Sequence, residues 1–169
     1  MRLALFAPVI ALALAACVDE QPLRLGTDGK PIPRLYRIEA KQEAEIQYRL
    51  LDSVNTLRAT AGLSPLTLNP QLIAAAKTHS RDMAVQNRPW HFGSDGSSPI
   101  DRVRRAGYPG MLKGEAISET FENEVETLSA WMAEAGSRGV IMDAGARDLG
   151  FGFYQEPAGK IWWTLVTGG

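Results

Sequence analysis

The sequence predicts an α+β fold in which helices cover a mainly antiparallel sheet. Three observations lead there. Apolar residues recur at steps of three and four through the first half of the chain, which marks helices that bury one face. Near the C-terminus, apolar residues alternate with small or polar ones on both sides of Pro157-Ala158-Gly159, which marks a hairpin. Helical patterns come first and strand patterns last, which argues against the strict strand–helix alternation of a parallel sheet.

In chain order, residues 39–61 are expected to form one helix, with Ile46, Leu50, Val54, Leu57 and Ala61 on one stripe and Gly62 as its stop. Leu63-Ser64-Pro65-Leu66 turns into a second helix, capped by Asn69 with Pro70 at its first position. That helix runs to about Gln86 and carries Leu72, Ala75, Ala76, His79 and Met83 on one side. His79 on this stripe reads as a hydrogen-bonded packing residue. Asn87-Arg88-Pro89 ends the helix and presents Trp90-His91-Phe92, followed by a loop over residues 93–98. Ser98 and Pro99 start a short helix over residues 100–106, and Gly107-Tyr108-Pro109-Gly110 turns the chain.

Residues 111–118, with Glu115 among them, read as extended. Asn123 caps a helix from Glu124 to about Ala133, which Gly136 is expected to close, and residues 140–142 read as a short extended piece. Leu149, Phe151 and Phe153 then alternate with Gly150, Gly152 and Tyr154, and residues 161–166 return as the second strand. The bare face at Gly150 and Gly152 leaves room for a close neighbour.

The first residues read as a processing signal. Arg2 precedes an apolar run over residues 3–14, too short to span a bilayer. Leu14-Ala15-Ala16-Cys17 resembles the lipobox of bacterial lipoproteins, in which the cysteine is lipidated and becomes the mature N-terminus. The alternative is an ordinary signal peptide cut after an A-x-A site. The expected organisation is a lipoprotein signal peptide over residues 1–16, lipidated Cys17 with a flexible tether over 17–38, and a domain over 39–169. Pro22, Gly26, Gly29, Pro31 and Pro33 break the tether. Cys17 is the chain's single cysteine, so no disulfide within the chain can brace the domain. Acyl chains on Cys17 make the membrane a partner. Val18 rather than aspartate after Cys17 resembles the sorting preference for the outer membrane, or periplasmic face, of a Gram-negative envelope.

Composition excludes one class of partner. Net charge is -1, and losing Arg2 with residues 1–16 leaves 17 basic against 19 acidic residues, or -2. A nucleic-acid binder needs a basic surface to neutralise phosphates, so none is expected here.

The chemistry-bearing residues gather between Trp90 and Arg138. The matching motifs are Asn55-x-x-Arg58, Gly62-Leu63-x-Pro65-Leu66, Asp82-Met83, His91, Asp95-Gly96, Arg102 and Ala106-Gly107-Tyr108. Gly114-Glu115, Glu126 five residues before Trp131-Met132, Leu149-Gly150-Phe151-Gly152 and Trp163-Thr164 follow. In this order, over about residues 45–167, they resemble the CAP superfamily of cysteine-rich secretory, antigen 5 and pathogenesis-related proteins, whose bacterial branch is called SCP-like. The resemblance implies a CAP-type α-β-α sandwich with a cleft lined by two histidines and two glutamates. His91, Glu115 and Glu126 match three of these. Ser137 stands where the second histidine would be, and Ala116 replaces the asparagine of the family's G-E-N motif.

The resemblance and the residues together give a membrane-anchored envelope lipoprotein. Its expected role is a non-catalytic binding module with His91, Glu115, Glu126 and Ser137 along the cleft and an unknown lipid or protein ligand. One alternative is a divergent hydrolase or peptidase in which His91 is the base and Glu115 or Glu126 orients it. Ser137 lacks a nucleophile elbow around it. A second alternative is lipid or sterol binding in an apolar groove, suggested by Trp90, Phe92, Trp131, Trp162 and Trp163, although core packing accounts for Trp131 and Trp163. No cofactor is expected with any weight. A divalent cation on His91, Glu115 and Glu126 stays open, but zinc prefers more nitrogen or sulfur ligands and calcium more oxygens. Structural roles compete for each residue: Glu126 holds the capping-box position after Asn123, and Glu115 has Arg58, Arg102 and Arg138 as partners to choose from.

Overall fold

Ile46, Leu50 and Val54 lie on the inward stripe of helix α1 (Glu43–Thr60), each buried, as their spacing requires. The computed structural model describes residues 36–169. The signal peptide, Cys17 and most of the expected tether lie outside them. Strand β1 (Thr67–Leu68) follows, then α2 (Pro70–Gln86) and α3 (Pro99–Arg105). The C-terminal half holds β2 (Leu112–Glu119), α4 (Glu124–Ala133), α5 (Ala135–Ile141), β3 (Asp148–Gln155) and β4 (Ile161–Gly168).

The four strands form one sheet in the order β1-β3-β4-β2. The β1–β3 pairing is parallel, and β3–β4 and β2–β4 are antiparallel. Strand alternation sends one set of side chains to each face. Leu149, Phe151, Trp163 and Leu165 join Ile46, Leu50, Val54 and Trp131 in a core under α1, α4 and α5. Val166 joins Leu72, Ala75, Ala76, Val103 and Tyr108 in a second core under α2 and α3. The result is the α+β fold that the patterns predict, in the α-β-α sandwich that the resemblance implies. Gly150 and Gly152 are what let α2 lie so close to β3. A Cβ at Gly150 would sit 2.1 Å from the backbone carbon of Leu72, and one at Gly152 would sit 2.4 Å from the nitrogen of Lys77.

The register of β2 places the site. Ala116 stands opposite Leu165 and is buried in the first core, while Glu115 stands opposite Val166 on the other face. Glu115 therefore points toward α2 and α3.

Three expectations need correction. Residues 140–142 are not extended: Val140 and Ile141 complete α5, and Gly136 lies inside that helix instead of closing α4. The break comes earlier, at Glu134, whose extended backbone (ψ 130) separates the two helices. Ser137 and Ile141 are buried four residues apart, a helical spacing that two glycines and a β-branched pair obscure in the sequence. Residues 63–66 do not lead straight into α2. Thr67 N donates to Arg147 O at 3.0 Å and Asn69 N to Leu149 O at 2.9 Å, which adds β1 to the sheet edge.

Packing also begins earlier than residue 39. Gln155 accepts from Ile38 N at 3.0 Å and donates to Tyr36 O at 2.7 Å. Arg37 donates to the carbonyls of Glu156 and Pro157 in the β3–β4 turn. Among the described residues no helix is long and apolar enough to cross a membrane.

Candidate functional site

Helix α2 ends at Asn87 in the left-handed conformation (φ 48), which releases the chain into the segment carrying Trp90, His91 and Phe92. Each carbonyl of that segment accepts a side-chain hydrogen bond. His79 Nε2 reaches Trp90 O at 3.0 Å, Arg102 Nη1 reaches His91 O at 2.9 Å, and Gln86 Nε2 reaches Phe92 O at 3.2 Å. Gln86 also accepts from Trp90 Nε1 at 2.7 Å. With its backbone fastened inward, the segment displays His91 and Phe92, whose surfaces are about half exposed (50% for the His91 side chain, 47% for Phe92).

Glu115 is the opposite case, with 4% of its side chain exposed. Arg102 Nη2 donates to Oε1 at 2.9 Å and to Oε2 at 2.7 Å, and His91 Nδ1 lies 2.9 Å from Oε1. Arg102 is itself buried, and its Nη1 also donates to Ser97 O at 3.1 Å. Burying an acid and a base together is tolerable only when both are paired and hydrogen-bonded, as here. With Arg102 donating to both oxygens, Glu115 is an acceptor, so His91 holds its proton on Nδ1 and leaves Nε2 free.

His79 completes the cluster. Its Nε2 must donate, because the Trp90 carbonyl can only accept, so Nδ1 is bare. Nδ1 is buried without a partner, and Nε2 lies 3.7 Å from Glu115 Oε1. Burial pushes the His79 pKa down, Glu115 opposes that shift, and Arg102 adds to it.

Of the residues singled out from the sequence, His91 and Glu115 meet. Glu126 and Ser137 have no hydrogen bond or ion pair to either, among the described residues. Asn123 Oδ1 accepts from Glu126 N at 2.8 Å, but the exposed Glu126 carboxylate does not reach back to close a capping box. Ser137 donates to Glu134 at 2.8 Å. The buried acid of α4 is Glu124, held at 2.7 Å by Arg49 of α1. Of the three arginines open to Glu115, Arg102 takes it; Arg58 donates to the carbonyls of Ser64, Ile141 and Asp143, and Arg138 to that of Met132. His79 is the buried, hydrogen-bonded packing residue that its stripe predicts; sequence reasoning missed that its partner is the Trp90 carbonyl, and missed Gln86. Their spacing of seven on one helix face, just before the segment, was the available signal.

The residues expected to hold a divalent cation are largely engaged with one another or apart. Both Glu115 oxygens accept from Arg102, His91 Nδ1 is turned to Oε1, and Glu126 is bonded to neither, which leaves His91 Nε2 as the unengaged nitrogen of the pair. Among the described residues no group of His, Cys, Asp or Glu side chains is placed to hold a metal ion. The aromatic residues divide cleanly. Trp131, Trp162 and Trp163 are buried, with Phe151 stacked on Trp163 at 5.6 Å. Trp90 packs on Phe92 at 5.4 Å and carries Arg88 over its ring at 3.9 Å. A separate surface cavity of about 460 Å³ runs between α1 and α4, lined by Leu57, Val125, Leu128 and Met132 among others.

The family model for the cysteine-rich secretory protein family, CAP, matches residues 51–167. The chain belongs to the CAP family. The CAP domain is similar to YkwD, an uncharacterised protein of Bacillus subtilis, at 28% identity over 114 residues, covering 68% of this chain and 44% of YkwD. It therefore spans less than half the length of that curated relative. Among solved structures it resembles an extracellular protein of Bacillus anthracis containing an SCP domain, with TM-score 0.69 and 23% identity over 78% of this chain and 44% of that one. It also resembles an outer surface protein of Borrelia burgdorferi, with TM-score 0.69 and 16% identity over 78% of this chain and 95% of that one. At these identities the structural likenesses speak for the CAP fold.

Proposed function

We propose that this CAP domain is exported, is anchored to the bacterial cell envelope through a lipidated Cys17, and acts as a binding module rather than an enzyme. His91 and Glu115 form the centre of its recognition surface; for Glu126 and Ser137, which do not contact that pair, the family resemblance is the support. One observation carries the binding reading: Arg102 occupies both oxygens of Glu115. A carboxylate held this way has little left to give a reacting proton, and no hydroxyl or thiol among the described residues hydrogen-bonds to His91 as a nucleophile would. What the pair offers a ligand is one fixed imidazole nitrogen, His91 Nε2, beside exposed Phe92. The lipobox-like Leu14-Ala15-Ala16-Cys17 supports anchoring, and relatives described as extracellular or as an outer surface protein support export. Where the envelope has an outer membrane, Val18 favours it.

Two assays test this. Cells grown with labelled palmitate should label the wild-type protein and not Cys17→Ala; an unlabelled mature wild type, or label kept by the variant, overturns the anchor. The mature chain should hydrolyse neither labelled casein nor p-nitrophenyl butyrate, with or without added zinc. Turnover that His91→Gln abolishes would establish the hydrolase instead.

The α1–α4 cavity favours a second reading, lipid carriage, because its lining residues Leu57 and Val125 are exposed apolar side chains. A lipid extracted in near-equal amount with the purified protein, and lost from Leu57→Gln, would favour it.

A further inference from the structure

The three carbonyls that hold the His91 segment are bonded by donors of different kinds. Arg102 and Gln86 keep their N–H groups at every pH a cell envelope meets. His79 also keeps its Nε2–H, but it alone of the three can gain a charge in that range, because protonation places a second proton on its buried Nδ1. We infer that His79 is a positioning residue and an acid-sensitive latch: while neutral it keeps Trp90 seated and His91 on Glu115, and its protonation accompanies opening of the loop over residues 88–94.

The geometry supplies the reason. His79 is fully buried, and its bare Nδ1 has no hydrogen-bond partner among the described residues. A proton placed there would be an unpaired buried donor on a cation next to the Arg102 guanidinium. Two acids act the other way: Glu115 from β2, whose Oε1 lies 3.7 Å from Nε2, and Asp82 from His79's own helix. Both are committed already, Glu115 to Arg102 and His91, and Asp82 to Ser94 N at 2.7 Å and to Gln86 at 2.9 Å. Strands β3 and β4 lie against α2 through Gly150, Gly152 and Thr164, which carry no charge. His91 is no rival source of opening. Its Nδ1–H donates to Glu115 whether or not Nε2 is protonated, so charging it leaves that contact in place.

Opening linked to one histidine that regains its ordinary pKa of about 6.5 should grow with falling pH, by up to about tenfold between about pH 7.5 and about pH 5.5. The test is amide hydrogen exchange of Trp90, His91, Phe92 and Gly93 in the mature chain, corrected for the intrinsic pH dependence of exchange. Wild type should show this rise. His79→Gln, which keeps a neutral side-chain donor, should be flat, and His91→Gln should keep the rise. A flat wild type, or a rise that His91→Gln removes, overturns the latch. If His79→Gln does not fold, nitrogen-15 NMR of the wild-type imidazoles decides. His79 must hold its proton on Nε2 at neutral pH and titrate together with loop opening; an Nδ1–H ring or a separate midpoint overturns the inference. That opening dismantles the recognition surface rests on the binding reading above. The exchange measurement uses no ligand, so either can fail without the other.

Discussion

Arg102 Nη2 lies 2.9 and 2.7 Å from the two oxygens of Glu115, and the same guanidinium donates through Nη1 to the carbonyl of His91. One side chain therefore fixes both halves of the site: the acid on β2 and the backbone that carries the histidine. Because both partners are buried, removing one leaves the other charged and unpaired. Arg102→Ala should cost about 3–5 kcal/mol in urea unfolding. Replacing both, as Arg102→Met with Glu115→Leu, should cost less than the two single changes summed. Additive costs would show that the pair is not coupled.

Stability should also depend on His79 through pH. Its pKa in the folded state is lowered, first by burial, so the unfolded chain binds the proton more readily. The contribution is complete above the unfolded value of about 6.5 and is lost as pH falls from there toward the folded value, by up to about 1.4 kcal/mol per pH unit. Urea midpoints measured across that window should fall for wild type and show a shallower fall for His79→Gln. Equal slopes would remove His79 as the source.

The close approach of α2 to β3 makes a sharp contrast between two glycines. Gly150→Ala drives a methyl group into the Leu72 backbone and should cost at least about 3 kcal/mol. Gly139→Ala, in α5 with open space around it, should stabilise the fold by about 0.5–1 kcal/mol. Thermal unfolding of both variants checks the pair.

The acids of α4 should separate in the same way. Glu126 is exposed, and its side chain has no partner among the described residues, so Glu126→Gln should change stability by less than about 0.5 kcal/mol. Glu124 is buried against Arg49 at 2.7 Å, and Glu124→Gln should cost about 1–3 kcal/mol. The reverse order in denaturant titrations would mean that Glu126 is held by something other than helix α4.

Much of this fold is legible in the sequence. The stripe of Ile46, Leu50 and Val54, the Asn69–Pro70 and Ser98–Pro99 helix starts, and the alternation around Gly150 and Gly152 are local patterns, and local patterns report which face of an element is buried. Residues 134–142 misled because two glycines and a β-branched pair imitate a turn followed by a strand. Contacts of Ser137 and Ile141 with the rest of the domain override that propensity.

The site divides along the same line. That His91 stands on a loop and Glu115 on a strand followed from sequence alone, because turn residues and alternation are written residue by residue. Which arginine meets Glu115, that Glu124 and not Glu126 is the buried acid, and that His79 holds Trp90 were decided by the tertiary structure. Each depends on how β2 is registered against β4 and on where α2 and α3 cross that face. Arg58, Arg102 and Arg138 are chemically identical, and only the packed sheet and helices bring one of them within 3 Å of the carboxylate.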